Sequence, residues 1–234
     1  MWLLPTRERP HNLKRFFDQA LATGLSTPGR IIVGEEDFTK NHVQYLDIVK
    51  KLQPLNWDVK IVQATTLGGA IEETWRIFGN QSKWIGLIND DSMPITENWD
   101  ERLVSKLNHH THLVSANDNW QAPARVGAAM VYSKAIIEAM GWLFPPGMTH
   151  MFQDDVWETL GRATGMWKVE MDVVVEHWHP LNMGLAQMDE TYARANTKTA
   201  WDADKKAFDD WKQNQFKECC EKIQEMILSK VEGA

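Results

Sequence analysis

Apolar runs and amphipathic stretches alternate along the first part of the chain. Four short apolar runs have the composition of strands, and they lie at residues 2–4, 31–33, 59–62 and 84–88. Between them, apolar residues recur every three or four positions, as in amphipathic helices, at 12–22, 43–52 and 69–78. This alternation is typical of a parallel sheet covered by helices on both faces. The run at 84–88 is almost entirely apolar, so we expect it near the centre of the sheet.

The pattern in the second half of the chain is less regular. Short strand-like runs occur at 113–115, 128–131 and 168–175, and helical spacing occurs at 134–140 and 154–164. From about residue 199 to about residue 229, the apolar positions follow an imperfect helical stripe. The chain is therefore predicted to be an α/β protein that ends in a helical tail.

Composition narrows the class of protein. The 234 residues suit one mid-sized domain, and 12 of them are tryptophan, which is an unusually high number. The apolar runs are far shorter than the roughly 20 residues that a membrane-spanning helix needs, and the first residues do not have the pattern of a signal peptide. The adjacent Cys219 and Cys220 are poorly placed to form a disulfide with each other. We expect a cytoplasmic protein, and the net charge of −7 argues against binding nucleic acid by charge alone.

The segment that follows the predicted central strand carries candidate metal ligands. Asn89, Asp90 and Asp91 come directly after the run at 84–88. Ligands of open α/β sheets bind where the strands end at their carboxyl edge, and adjacent acids there suit a hard cation such as Mg²⁺ or Mn²⁺. Because the same residues also make good turns, a solvated turn is the alternative interpretation.

Two other strand ends carry candidate nucleotide-binding residues. Thr6, Arg7 and Arg9 follow the first predicted strand, and arginines there can bind a phosphate or the edge of a base. Glu35 and Asp37 are acids that follow the second strand, again at the carboxyl end of a strand. The alternatives are a basic helix start and an acidic turn that leads into a helix.

Two further pairs suggest acid–base and metal chemistry. Asp154 and Asp155 open a predicted helix, and one carboxylate beside another has a raised pKa, which suits a general base. Either residue could instead cap the helix. His177 and His179 follow an apolar run and lie on the same side of an extended segment, so both can face one site.

Taken in this order, these segments resemble a GT-A glycosyltransferase of the large family-two-like group. Residues 4–10 resemble the loop that cradles the nucleotide, and 89–91 resemble the DxD-type metal motif, with an asparagine in its first acidic place. Residues 153–155 resemble the Glu-Asp motif whose second acid is the base in inverting members, and 176–179 resemble the segment with the late metal-binding histidine.

The resemblance covers about residues 1–180. It implies a Rossmann-like GT-A core, with a mostly parallel sheet flanked by helices. Within that core, residues 1–92 would bind the nucleotide sugar and residues 110–180 would form the acceptor side. Residues 181–234 would then be a C-terminal helical extension.

The resemblance also implies an inverting transfer that depends on Mn²⁺ or Mg²⁺. The donor is expected to be a nucleotide sugar, such as a UDP sugar. Asp155 is expected to be the catalytic base, with Asp154 as the alternative. The implied ligands of the nucleotide are Thr6, Arg7, Arg9, Glu35, Asp37 and Asp90, and those of the metal are Asp91, Asn89, His177 and His179.

The acceptor is a hydroxyl-bearing molecule whose class the sequence leaves open. A glycan or a protein is one expectation, and a hydroxymethylated pyrimidine base in DNA, modified by a phage-type enzyme, is another. Trp120, Trp142 and Trp157 lie in the acceptor half, where they can stack on a sugar or a base or can equally belong to the core.

Two rivals to a glycosyltransferase remain. One is a nucleotide-binding module without catalysis. The other is a sugar nucleotidyltransferase, which would need a glycine-rich loop where this chain has Thr6 to Arg9.

Overall fold

The computed structural model describes residues 1–180, 182 and 189–231. Part of the predicted extension at 181–234 therefore lies outside the described residues. Within them, a single sheet has eight strands: β1 (Trp2–Pro5), β2 (Gly29–Gly34), β3 (Trp57–Val62), β4 (Trp84–Ile88), β5 (Ser92–Pro94), β6 (Leu113–Asn117), β7 (Ala129–Ser133) and β8 (Trp167–His177).

α-Helices pack on both faces of the sheet. They are α1 (Pro10–Ala22), α2 (Glu35–Leu52), α3 (Leu67–Phe78), α4 (Trp99–Val104), α5 (Lys134–Met140), α6 (Gln153–Thr164), α7 (Glu190–Ala195), α8 (Lys198–Asn214) and α9 (Phe216–Val231). None of the helices in the described ranges is long and apolar enough to cross a membrane.

The order of the strands is β3-β2-β1-β4-β7-β6-β8-β5. The first four run parallel, as the sequence predicts, and β4 lies between β1 and β7 near the centre of the sheet. Beyond β4 the pairing is mixed: β7 is antiparallel to both β4 and β6, while β6 and β8 are parallel. The α/β fold class is confirmed, but parallel pairing dominates only the first half of the sheet.

Side chains that alternate along the strands supply a hydrophobic core on each face of the sheet. Trp2 and Leu4 of β1 pack under α1, α2 and α4, whereas Leu3 packs on the opposite face with residues of α3, α5, α6 and α9. A Cβ on Gly86 of β4 would lie 2.2 Å from the ring of Trp2, so glycine is needed for this strand to pass the ring. Much of the unusual tryptophan content is core, because five tryptophans are fully buried: Trp2, Trp57, Trp99, Trp157 and Trp211.

The structure extends some predicted elements and adds others. The strand predicted at 168–175 continues to His177, where it pairs with the short strand β5. The predicted tail is two helices, α8 and α9, which divide at Gln215. Helices α4 and α7 have no counterpart in the prediction, since each is only six residues long and leaves too short an apolar repeat to detect.

Candidate active site

The loops that follow β1 and β4 are joined by hydrogen bonds at the carboxyl edge of the sheet. The hydroxyl of Thr6 donates to Asp90 Oδ2 over 2.6 Å, and Arg9 Nη1 lies 3.4 Å from Asp90 Oδ1. Burial, and then the charge of Asp91, raise the pKa of Asp90 to about 7, although Arg9 and the Thr6 hydroxyl oppose the rise. Three of the predicted nucleotide-binding residues are therefore in direct contact.

Arg9 is a buried cation with several partners. Its Nε and Nη2 donate to the two carboxylate oxygens of Asp189 over 2.7 and 2.6 Å, and its guanidinium lies 4.0 Å from the ring centre of Tyr192. Burial lowers the pKa of Arg9, but hydrogen bonding to Asp189 and the charge of Asp90 more than offset that effect. A permanent positive charge is therefore held beside the two acids that follow β4.

Asp91 lies against His177, as the predicted metal site requires. Its Oδ2 accepts a hydrogen bond from the Tyr192 hydroxyl, and its Oδ1 lies 3.3 Å from His177 Nε2. Oδ1 is buried and has no hydrogen-bond partner among the described residues. Burial favours a higher pKa for Asp91, but the positive charge of His177 turns the net shift downward.

The same pair raises the pKa of His177. Burial lowers the pKa of its imidazole, but the negative charge of Asp91 outweighs burial, with smaller contributions from Asp118 and Asp154. A buried carboxylate oxygen that accepts no hydrogen bond, together with the imidazole nitrogen beside it, is a donor set that fits one side of a divalent-cation site. The residues present therefore fit the predicted metal.

The other two predicted metal ligands lie farther from this pair. Asn89 is exposed at the start of the loop. The ring of His179 is 5.3 Å from that of His177 and 5.0 Å from that of Tyr192, centre to centre. Within the described ranges, no group of three or more His, Cys, Asp and Glu side chains is placed to hold a metal ion. Of the four predicted metal ligands, Asp91 and His177 are thus the two whose polar atoms the structure brings together.

The two acids of α6 have different surroundings. Asp155 forms an ion pair with Arg125, which also lies 3.6 Å from Glu158. Burial and the charge of Asp155 raise the pKa of Asp154 to about 6, against the opposing charge of Arg125. Asp154 is close enough to His177 for its charge to raise the pKa of that histidine. The charge of Asp154 therefore acts on the pair formed by Asp91 and His177.

The two acids that follow β2, Asp37 and Glu35, have different surroundings. Asp37 is buried and accepts hydrogen bonds from the backbone N–H of Glu8 at 2.6 Å and from the Tyr45 hydroxyl at 2.8 Å. It therefore anchors the loop that carries Arg9, and its carboxylate is already engaged by the protein. Glu35 is exposed and accepts from Gln63 at 3.0 Å. The Arg7 side chain is also exposed, so these residues do not join Arg9 and Asp90 in the buried cluster.

The three candidate acceptor tryptophans divide into one exposed ring and two core rings. Trp120 is 37% exposed and stacks on His179, with ring centres 5.6 Å apart and an interplanar angle of 17°. Trp157 is fully buried, and its Nε1 donates to Leu143 O over 2.9 Å. Trp142 is 8% exposed and packs on Trp157. The burial of Trp142 and Trp157 favours the core alternative for these two rings.

Helix α7 supplies site residues that the sequence analysis missed. Besides the contacts of Asp189 and Tyr192 with Arg9 and Asp91, Arg194 pairs with Glu8 at 2.8 Å. Asp189 also caps α7 by accepting from Tyr192 N, and that cap is a local signal readable from sequence. The contact of α7 with the loop after β1 spans about 180 residues of chain, so local patterns do not reveal it. Arg125 was missed for a similar reason.

Comparison with known proteins finds similar solved structures but no matching family model or curated protein. The mannosyltransferase PcManGT from Pyrobaculum calidifontis, solved with GDP-Man and Mn²⁺, matches with a TM-score of 0.60 at 11% identity, over 100% of this chain and 75% of that one. S. aureus TarS 1–349 with UDP-GlcNAc matches with a TM-score of 0.52 at 14% identity, over 82% of this chain and 63% of that one.

A third solved structure extends this set. The catalytic domain of Drosophila β1,4-galactosyltransferase 7 with xylobiose matches with a TM-score of 0.50 at 13% identity, over 81% of this chain and 73% of that one. At such low identities the likeness concerns the fold. The predicted fold is confirmed: the chain has a Rossmann-like GT-A fold, similar to that of these solved structures.

Proposed function

We propose that this protein is a glycosyltransferase that moves a sugar from a nucleotide sugar to an acceptor hydroxyl. The observation that carries the proposal is the convergence of Arg9, Asp91, His177 and Asp154 at the carboxyl edge of a GT-A sheet. Ligands of open α/β folds bind at this edge. The site thus offers a cation for a diphosphate, a donor set for a metal ion and a carboxylate for acid–base work.

The donor end of the site is built from the loops after β1 and β4. A divalent cation such as Mn²⁺ or Mg²⁺ would be held by Asp91 and His177, and when bound it neutralises charge on the leaving diphosphate. Arg9 remains charged and binds the diphosphate, exchanging its ion pair with Asp189 for the phosphate oxygens. Thr6 and Asp90 fix the position of Arg9 from the other side.

The acceptor end of the site is built from α6 and the loop that carries Trp120. Asp154 is the general base of this proposal, since its pKa of about 6 keeps it ionised and basic near neutral pH. Asp155, the first expectation from the sequence, is instead engaged by Arg125. Trp120, which is 37% exposed, offers a ring surface for a sugar.

These roles give a single displacement. Asp154 takes the proton of the acceptor hydroxyl as its oxygen attacks the anomeric carbon. The bond from that carbon to the diphosphate oxygen breaks, and the nucleoside diphosphate leaves. Attack from the face opposite the leaving group inverts the anomeric configuration.

A thermal-shift panel of nucleotide sugars, with and without Mn²⁺, tests the proposal. We expect one nucleotide sugar to raise the Tm and the rise to depend on the metal. That donor should then release its nucleoside diphosphate when acceptors are supplied, and mass spectrometry of the product identifies the acceptor. Binding without breakdown of the donor by any acceptor would instead indicate a non-catalytic nucleotide-binding module.

A further inference from the structure

A carboxylate in the C-terminal helices organises the loop that leads to α6. Asp204 of α8 is only 1% exposed. It accepts hydrogen bonds of 2.8 Å from three successive backbone N–H groups, those of Thr149, His150 and Met151. The Thr149 hydroxyl adds a fourth donor at 3.1 Å. Because a buried carboxylate is stable only when it is hydrogen-bonded, the loop and α8 hold each other in a fixed arrangement.

The residue between this loop and α6 has an unusual backbone conformation. Phe152 has a φ of +67°, in the left-handed region that a bulky side chain rarely adopts. Its ring stacks on Phe208 of α8, with ring centres 5.4 Å apart, and meets Trp201 edge-on at 5.5 Å. Contacts with α8 therefore hold the chain in this turn as α6 begins.

The loop is also fixed on the side away from α8. Thr149 O accepts a hydrogen bond of 2.9 Å from Gly68 N at the start of α3. A Cβ on Gly68 would lie 2.6 Å from the ring of Phe144, so this close approach depends on glycine. Asp154 follows Phe152 by two residues. Only one turn of backbone therefore separates the anchored loop from this carboxylate.

We propose that Asp204 is a positioning residue for the transfer reaction: it fixes the loop at 149–151 and the turn at Phe152, and so sets where the Asp154 carboxylate lies. The inference rests on the proposed function, in which Asp154 is the base. It gives the C-terminal helices a part in catalysis without contact with the substrate. A displacement of about 1 Å at a reacting group can cost on the order of 100-fold in rate.

The chain contains a matched control for this role. Asp100 of α4 is fully buried and also accepts hydrogen bonds from two successive backbone N–H groups, those of Ser26 and Thr27, at 2.9 and 2.8 Å. That loop precedes β2, at the edge of the sheet opposite the candidate active site. Asp100→Asn and Asp204→Asn both replace one acceptor oxygen with an amide donor, and both leave the side-chain shape nearly unchanged.

The test combines amide hydrogen exchange with steady-state kinetics on the full chain. In D204N we expect faster exchange at 149–153 and a kcat that is about 10- to 100-fold lower, with KM for the donor within twofold of the wild-type value. In D100N we expect a kcat within twofold of wild type.

Three outcomes would overturn the proposal, and each is distinct from failure of the proposed function. Unchanged amide exchange at 149–153 in D204N would show that Asp204 does not hold this loop in place. A wild-type kcat in D204N despite faster exchange would show that the position of this loop does not affect the catalytic rate. Equal losses of kcat in both variants, corrected for the folded fraction, would show that the effect is a general consequence of disturbing a buried carboxylate and is not specific to Asp204. If the wild-type chain broke down no nucleotide sugar, the proposed function would fail, and the exchange data would still decide whether Asp204 holds the loop.

Discussion

The two oxygens of Asp91 have different surroundings. Oδ2 is occupied by the Tyr192 hydroxyl, whereas Oδ1 is buried beside His177 Nε2 and accepts no hydrogen bond from the described residues. A buried carboxylate oxygen that accepts no hydrogen bond is costly in free energy, and such groups in folded proteins commonly mark an ion or water that completes the site. The arrangement therefore leads to a direct test of metal binding.

We predict that Asp91→Asn loses the Mn²⁺-dependent part of the rise in Tm that a nucleotide produces. The amide carries no charge and is a weak ligand for a hard cation. The measurement is thermal unfolding with the nucleotide, with and without Mn²⁺, with Asp100→Asn as a buried control. A metal response equal to that of wild type would exclude Asp91 as a ligand.

The acids of α6 support a second prediction at the residue scale. Asp154→Asn should lower kcat by about 10²- to 10⁴-fold, the usual contribution of a general base, while nucleotide binding is retained. Asp155→Asn should cost less, because Asp155 is paired with Arg125. Initial rates and nucleotide titrations of the two variants make the comparison. A larger loss in Asp155→Asn would return the role of base to that residue.

The pH dependence of kcat gives a third prediction. The base works only when deprotonated, and burial together with Asp155 raises the pKa of Asp154 to about 6. The rate should therefore be level above this pKa and fall about tenfold per pH unit as the pH drops below it. Measured rates between pH 4.5 and 8 check this limb, and Asp154→Asn should lack it. A limb that persists in the variant would assign the titration to another group.

At the scale of elements, local pattern predicts the core but not the meeting of distant segments. The strands that end at Pro5 and Ile88 are apolar runs, and the helices α1 to α3 that separate the first four strands have apolar repeats, so the carboxyl-edge position of Thr6, Asp90 and Asp91 was predictable. Helix α7 is only six residues long, and its contacts with the loop after β1 depend on the full tertiary fold. For the same reason, the ion pair of Arg125 with Asp155 could not be predicted from local sequence. The sequence also left two interpretations of Trp157, and its burial in the structure favours the core.

Helix α7 carries the prediction that belongs to this scale. The Tyr192 hydroxyl donates to Asp91 Oδ2 and so orients the carboxylate toward His177. Hydrogen-bond partners of metal ligands typically contribute 10- to 100-fold in affinity, so Tyr192→Phe should weaken Mn²⁺ binding by about that factor. Tyr45→Phe removes a similar bond to Asp37 and should leave the metal affinity unchanged. Titration of Mn²⁺ into each variant in the presence of nucleotide measures the effect. Tighter binding in Tyr192→Phe would show that the hydroxyl competes with the metal.

At the scale of the whole molecule, the C-terminal helices belong to the same hydrophobic core as the sheet. Trp211 of α8 and Ile223 of α9 pack in one cluster with Leu3 of β1 and Ile85 of β4. Trp211 is 2% exposed. The predicted division into a core at 1–180 and an extension at 181–234 stays a prediction about the chain's organisation, but this shared packing has a thermodynamic consequence.

We predict that the tail and the sheet unfold in one cooperative transition. Removing a large aromatic side chain from a core costs about 3–5 kcal/mol, so Trp211→Ala should lower the free energy of unfolding by that amount and shift the whole transition. Urea unfolding followed by far-UV circular dichroism and by tryptophan fluorescence should give coincident curves in both proteins. Trp201→Ala is the control, because that ring is 46% exposed and its loss should cost much less. Two separate transitions, with only the first sensitive to Trp211, would show that the helices fold as an independent unit and that their hold on the loop before α6 can be released without unfolding the site.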